Sequence, residues 1–222
     1  MGRSNDDDHQ EIPYHSIDFG KDITSGYFTK LVKAVVPSRD GGQMLACVKI
    51  LRDTRGKLPE HCLLTEAKFM KTVHKRENIL EMIYCCTIEK PYCLVFEYCS
   101  CGTLKHHLIT NYNSTQILVE DNTLRDLYTF ALQIARGMSY LEDIQCVHRA
   151  LSSKTVHVDQ GNICKITEFG MSSKVMTEST FETVTEGRLP IRWMALESII
   201  DCIYTSKTDV WSYGVILWKF SI

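Results

Sequence analysis

A lysine and a glutamate carry the first chemical signal in this 222-residue chain. In Leu45-Ala46-Cys47-Val48-Lys49 the alternation of a strand puts Cys47 and Lys49 on one face, so the ammonium points where an apolar neighbour points. Glu66 has the same problem on a helix. Cys62, Glu66, Phe69, Met70 and Val73 recur at helical spacing, which lays the carboxylate on the apolar stripe. A charge aimed at a core is tolerated only when paired, so Lys49 and Glu66 are expected to meet. Taken alone, such a pair is more often a structural salt bridge than a catalytic one.

Sulfur offers a second candidate chemistry. Seven of the ten cysteines, Cys47, Cys62, Cys85, Cys86, Cys93, Cys146 and Cys164, sit in apolar runs like small buried hydrophobes, and we read reduced thiols rather than a disulfide framework. Cys99 and Cys101 precede His106 and His107, yet no second pair stands at zinc-site distance, so no structural zinc is expected. The sequon Asn113-Ser114-Thr115 matters only in a secreted chain and is discounted.

The elements that must position these groups are strand-like in the first hundred residues. Strands are expected at 28–36, at 43–50 after the Asp40-Gly41-Gly42 turn, and at 82–87 and 92–98 around Glu89-Lys90-Pro91. One helix interrupts them, opening near Pro59. Beyond residue 100 helices dominate. A long amphipathic helix runs from Asp121/Asn122 through Leu141, short strands are expected at 155–158 and 162–167, and an apolar helix spans 206–220. Lys and Arg number 25 against 27 Asp and Glu, a net charge of −2, which provides no basic field for nucleic acid. No apolar run approaches the ~18 residues of a membrane span, and residues 1–15 hold no secretory core.

Downstream of Lys49 and Glu66 come Cys146-Val147-His148-Arg149-Ala150-Leu151, Thr167-Glu168-Phe169-Gly170, Ala195-Leu196-Glu197 and Ser206-Lys207-Thr208-Asp209-Val210-Trp211-Ser212. That order resembles the protein-kinase signature set. Leu127–Leu141 (LYTFALQIARGMSYL) and Glu186–Glu197 (EGRLPIRWMALE) resemble the tyrosine-specific branch, in particular receptor tyrosine kinases of the fibroblast-growth-factor-receptor and RET kind. The resemblance covers about residues 15–222. It implies an α+β bilobal fold: a disordered acidic tail over 1–14, a β-rich N-lobe over about 15–97 with one helix, a hinge over about 97–101, and a mainly helical partial C-lobe over about 102–222. It also implies that Lys49, Glu66, Gly26, Leu31, Cys47, the hinge residues Glu97 and Cys99, and His157 serve the nucleotide. His148 and Arg149 belong to the catalytic loop, His148 and Phe169 to a hydrophobic spine with Met70 and Ile83, and Asp209 anchors the base of that spine.

The departures from the family pattern carry more information than the matches. Ala150 stands where the family has the aspartate that accepts the substrate's hydroxyl proton, and a methyl group accepts nothing. Thr155 replaces an asparagine that ligates magnesium. Glu168 replaces the magnesium-binding aspartate, still a hard oxygen ligand but one methylene longer. Thr24, Gly26 and Thr29 correspond to the three glycines of the phosphate loop, so side chains stand where backbone should approach phosphate. His157 brings an imidazole to a place where small or aliphatic groups line the adenine, which we read as filling the slot, the alternative being a ring that stacks beneath a purine. The segment 168–197 holds no tyrosine; Glu178, Glu182, Glu186, Thr180, Thr183 and Thr185 are candidate partners, direct or phosphorylated, for Arg149, the alternative being a solvated loop.

The reading that follows is a receptor-tyrosine-kinase-like pseudokinase: a signalling module acting through contacts with other kinase-domain or signalling proteins. No cofactor turnover is expected, with ATP and magnesium bound weakly if at all. There is no nucleic-acid partner and no membrane span in this segment. A cytoplasmic location is expected, that of a receptor's cytoplasmic portion included. The alternatives are a weakly active ATP-dependent tyrosine kinase and a truncated fragment, ending after the central C-lobe helix, without independent function. In the last case Trp218 and Phe220 are expected to be exposed.

Overall fold

The computed structural model describes residues 10–26, 28–52, 57–112, 121–172, 174 and 189–220. In chain order the elements are β1 (Gln10–Glu11), β2 (Asp18–Ser25), β3 (Thr29–Pro37), β4 (Gln43–Leu51), α1 (Lys57–Met70), β5 (Met82–Cys86), β6 (Cys93–Glu97), α2 (Leu104–Tyr112), α3 (Asp121–Asp143), β7 (Val156–Asp159), β8 (Ile163–Ile166), α4 (Leu196–Ile200) and α5 (Ser206–Trp218). The chain forms two compact units, Met1–Lys75 with Leu80–Tyr98, and Arg76–Ile79 with Cys99–Ile222. The first is β-rich and the second mainly helical, the expected α+β class.

In the first unit six strands lie in the order β1-β5-β6-β4-β3-β2, antiparallel except for the parallel pair β1 and β5. The β3–β4 turn forms because Gly41 adopts φ 88°, where side chains are disfavoured, while Ser38 N–H donates to the Gly42 carbonyl at 2.9 Å. That turn sets the register: Lys49 opposes Leu31 on one side and Leu94 on the other. Below the sheet, Ile17, Val36, Val48, Ile83, Cys93 and Val95 belong to one buried apolar cluster. Two expectations are corrected at this level. Strand β2 was not anticipated, and the tail does not reach residue 14: Gln10 and Glu11 pair with Tyr84 and Cys85, and Tyr14–Ser16 form a 3-10 turn. The edge of β5 offers unpaired backbone groups, and Glu11 anchors the added strand by an ion pair to Lys71 at 3.0 Å. Residues 1–9 lie outside the described residues.

The second unit takes Arg76–Ile79 from the stretch expected in the N-lobe, for a physical reason. Asn78 is buried, and its Nδ2 donates to the Cys164 carbonyl at 3.0 Å and to Gln133 Oε1 at 3.3 Å, while its own carbonyl accepts Ile166 N–H at 3.0 Å. This network ties the β7–β8 hairpin to α3. Gly137 on α3 belongs to the same contact: a Cβ there would stand 2.7 Å from Ile166 Cδ1 and 2.8 Å from the Asn78 carbonyl oxygen. Alanine normally gains about 1 kcal/mol over glycine in a helix. Overpacking against a backbone oxygen that is already hydrogen-bonded costs more. Gly137→Ala is therefore expected to lower stability by a net ~1 to 2 kcal/mol, seen as an earlier urea midpoint; a rise in the midpoint would show that α3 shifts freely.

Helix α5 docks on α3 through Tyr213 Oη, which donates to the Ala131 carbonyl at 3.0 Å, and Ser212 Oγ donates to the Trp193 carbonyl at 2.7 Å. Its other faces are apolar too. Val210, Trp211 and Trp218 are exposed, as are Leu196 and Ile200 on α4, whereas Phe220, expected to be exposed, is half-buried. No helix among the described residues is long and apolar enough to cross a membrane.

Candidate functional site

In the first unit strand alternation and helical spacing bring Lys49 and Glu66 together as anticipated. Lys49 Nζ donates to Glu66 Oε2 at 2.8 Å and to Oε1 at 3.0 Å, and the two side chains are only 8% and 4% exposed. Cys62 lies one helical turn before Glu66; burial and the Glu66 carboxylate push its thiol up, against the pull of Lys49. Cys47, two residues before Lys49, is buried and opposes Phe96 on β6, and Leu31 faces Lys49 across the β3–β4 ladder.

The turn between β2 and β3 is closed on itself. Gly26 N–H donates to the Thr29 carbonyl at 2.8 Å, and the Gly26 carbonyl accepts Arg52 Nη1 at 2.9 Å. Both backbone groups of the one glycine kept in this loop thus have partners within the chain. Thr24 is paired with Leu31, and Thr29 opens β3. At the end of β6 Glu97 is folded back, its Oε1 accepting Glu81 N–H at 2.8 Å and its own N–H reaching the Glu81 carbonyl at 3.0 Å.

The second unit holds the residues expected to form a catalytic loop. Asp209, buried in the first turn of α5, accepts the consecutive N–H groups of His148 at 2.7 Å and Arg149 at 3.0 Å. Those bonds hold Arg149 at φ 67°, a left-handed conformation unusual for a side-chain-bearing residue. Burial pushes the Asp209 carboxyl up, while His148, Arg149 and the two amides act in the opposite direction. His148 Nε2 lies 2.8 Å from the Thr167 carbonyl and must donate to it, which leaves Nδ1 to accept Ala150 N–H at 3.3 Å. The ring is therefore the neutral tautomer, in keeping with burial, which lowers its pKa. Phe169 packs 5.4 Å from it, ring centre to ring centre, and the Arg149 guanidinium sits 5.2 Å over the Tyr204 ring.

Ala150 is buried, with only a methyl group where a proton acceptor belongs in the expected alignment. Thr155 has a different use for its hydroxyl. Its Oγ1 accepts Ser152 N–H at 2.9 Å and donates to the Ala150 carbonyl at 3.0 Å, with the Ser152 carbonyl a second acceptor at 3.2 Å. The oxygen that a metal would need is the latch of its own loop. His157 is half-buried on β7 between buried Val156 and Val158; burial lowers its pKa, and the Glu168 carboxylate opposes that shift. Glu168, at φ 67°, precedes the turn that buries Phe169. Cys99 is buried, and the following segment 101–103 joins β7 through Cys101 N–H to the Val158 carbonyl at 3.1 Å and Val158 N–H to the Gly102 carbonyl at 2.8 Å.

The residues present do not fit a magnesium ion gripped from two sides. A hard dication prefers several oxygen ligands, and here the neutral Thr155 hydroxyl is engaged by backbone, leaving the Glu168 carboxylate as the one anionic donor at the two family positions. Among the described residues no group of three or more His, Cys, Asp or Glu side chains is placed to hold a metal ion. None of the ten cysteines is in a disulfide.

Lys49 with Glu66, and His148, Arg149, Ala150 and Thr155 with Asp209, are brought together within their own units. Gly26, Leu31, Cys47 and Glu97 belong to the first unit, and Cys99, His157 and Glu168 to the second. The six candidate partners of Arg149, Glu178, Thr180, Glu182, Thr183, Thr185 and Glu186, lie outside the described residues. Arg52 and Tyr204 were not anticipated, and neither stands in a local pattern that points to its partner. A family model described as protein tyrosine and serine/threonine kinase matches residues 17–221. With the Lys49–Glu66 pair and the Asp209-anchored loop inside that span, the chain belongs to the protein tyrosine and serine/threonine kinase family.

Proposed function

We propose that this domain is a pseudokinase of the receptor-tyrosine-kinase type, a regulatory module that works through contacts with other kinase-domain or signalling proteins in the cytoplasm and transfers little or no phosphate. The observation that carries the reading is the catalytic loop: the Ala150 methyl group replaces a proton acceptor, and the Thr155 hydroxyl is consumed by Ser152 and Ala150. Loss of a general base alone typically costs about 10²–10⁴-fold, which would leave slow turnover. Phosphoryl transfer depends chiefly on positioning and charge neutralisation, and the second change acts there.

What this chain's own residues do is hold shape. Lys49 and Glu66 neutralise each other in a buried place, Asp209 orients two amides, and His148 bridges Thr167 to Ala150. A weakly active kinase is the second reading, favoured by one observation: the Lys49–Glu66 pair is formed at 2.8 Å.

The test is phosphate incorporation from labelled ATP into the chain and into tyrosine peptides, with Lys49→Met as control, alongside ATP-dependent thermal stabilisation with and without magnesium or manganese. No incorporation above the control is expected, and no stabilisation that depends on the metal. Incorporation that disappears with Lys49→Met would establish the weak kinase instead.

A further inference from the structure

Antiparallel register sets Cys86 of β5 directly opposite Cys93 of β6, the last pair of that ladder before the turn over residues 87–92. Directly opposed residues in such a ladder have Cα atoms about 4.5 to 5.5 Å apart. A disulfide accepts about 4.4 to 6.8 Å, so the Cα spacing of the ladder already suits a bond between these two. Both are buried free thiols, and each shifts the acidity of the other. Cys86 Sγ also donates to the Ile12 carbonyl at 2.9 Å, and Ile12 N–H reaches back to the Cys85 carbonyl at 3.0 Å. Cys86 thus stands opposite a potential disulfide partner and bonds to the segment that adds β1 to the sheet.

The bland account is two small hydrophobes in a core, since buried thiols are ordinarily inert. Three features set this pair apart. The thiols are asymmetric: the neighbouring Cys93 holds Cys86 below the ordinary thiol value, while Cys86 together with burial pushes Cys93 up. The adjacent Cys85 is pushed up to about 11 by burial and by Glu11, so it does not compete as the thiolate. The pair also ends its ladder next to a turn whose Ile88 is 76% exposed, where local opening is least costly.

We propose that Cys86 and Cys93 are a redox-active dithiol that closes to a cross-strand disulfide under peroxide, and that closure loosens the Gln10–Ile12 segment from β5. The Cys86 thiolate attacks one oxygen of hydrogen peroxide, breaking the O–O bond, and becomes a sulfenic acid as the leaving hydroxide takes up a proton to form water. Cys93 sulfur then attacks the sulfenic sulfur, the S–S bond forms, the S–O bond breaks and a second water leaves with the Cys93 proton. Two thiols and one peroxide give one disulfide and two waters. A disulfide sulfur carries no hydrogen, so the Ile12 carbonyl loses its donor.

The test exposes the purified full chain to hydrogen peroxide, blocks remaining thiols after unfolding, and maps the peptides by mass spectrometry. A peptide joining Cys86 to Cys93, two hydrogen masses lighter than its parts and opened by dithiothreitol, is expected. Hydrogen exchange at the Ile12 amide should then run about fivefold faster in the oxidised chain, the scale of one lost hydrogen bond. Both thiols still alkylatable, or a bond from Cys86 to Cys85 instead, would overturn the proposal. A Cys86–Cys93 bond with unchanged exchange at Ile12 would overturn the release of the segment. All of these readouts come from the unmutated chain, so none depends on a variant that fails to fold.

Discussion

Asp209→Ala is expected to destabilise the second unit by about 4 kcal/mol, measured as a lower urea midpoint at unchanged slope. The carboxylate accepts two amides at 2.7 and 3.0 Å in a buried place. Bonds to charged acceptors contribute about 1.5 to 3 kcal/mol each, and an alanine removes the acceptor of both where water cannot easily reach. The left-handed Arg149 backbone adds to the loss, because the bond from its amide to Asp209 is what holds that conformation. Asp209→Asn keeps one carbonyl oxygen and should recover roughly half of the loss. An Ala variant within about 1 kcal/mol of wild type would mean the loop rearranges to satisfy its own amides.

Lys49→Met should cost the first unit about 3 kcal/mol. The Glu66 carboxylate would remain in a site where its side chain is 4% exposed, with its ammonium partner gone. Removing one member of a buried pair is expensive for that reason, while replacing both by apolar groups is often close to neutral. Lys49→Met/Glu66→Leu should therefore be more stable than Lys49→Met alone, with coupling measured from the full cycle of variants. Coincident unfolding midpoints of wild type and Lys49→Met would show that the pair is solvated and has no role in shape. Because the readout is stability, it holds whether or not the domain transfers phosphate.

Period and pairing logic made the Lys49–Glu66 pair legible from sequence, because two charges on apolar faces leave few other solutions. Strand β4, helix α3 and the β7–β8 hairpin were legible for the same reason: their apolar residues repeat with a clear period. Strand β2 was not. Its residues Asp18 to Ser25 are mostly exposed and mix Asp, Gly and Lys, so what makes it a strand is the ladder with β3, a long-range gain that no local pattern displays. The Thr155 latch was equally invisible. The resemblance suggested an asparagine position at Thr155, but the partners of the threonine hydroxyl depend on how residues 150–155 turn. Arg52 reaching the Gly26 carbonyl is a contact across the sheet with no sequence signature at all.

The chain has three tryptophans, Trp193, Trp211 and Trp218, and every one of them belongs to the second unit. Indole fluorescence is therefore a local probe. Trp211 is 55% and Trp218 61% exposed whereas Trp193 is half-buried, so Trp193 is the indole whose surroundings change most on unfolding. A fluorescence melt follows the part that holds Asp209 and says nothing directly about the part that holds Lys49. Far-UV circular dichroism weighs both. If the two signals coincide in Lys49→Met, damage to the sheet is transmitted and the halves unfold as one cooperative body; if the dichroism falls first, the sheet melts while the helical half still glows unchanged.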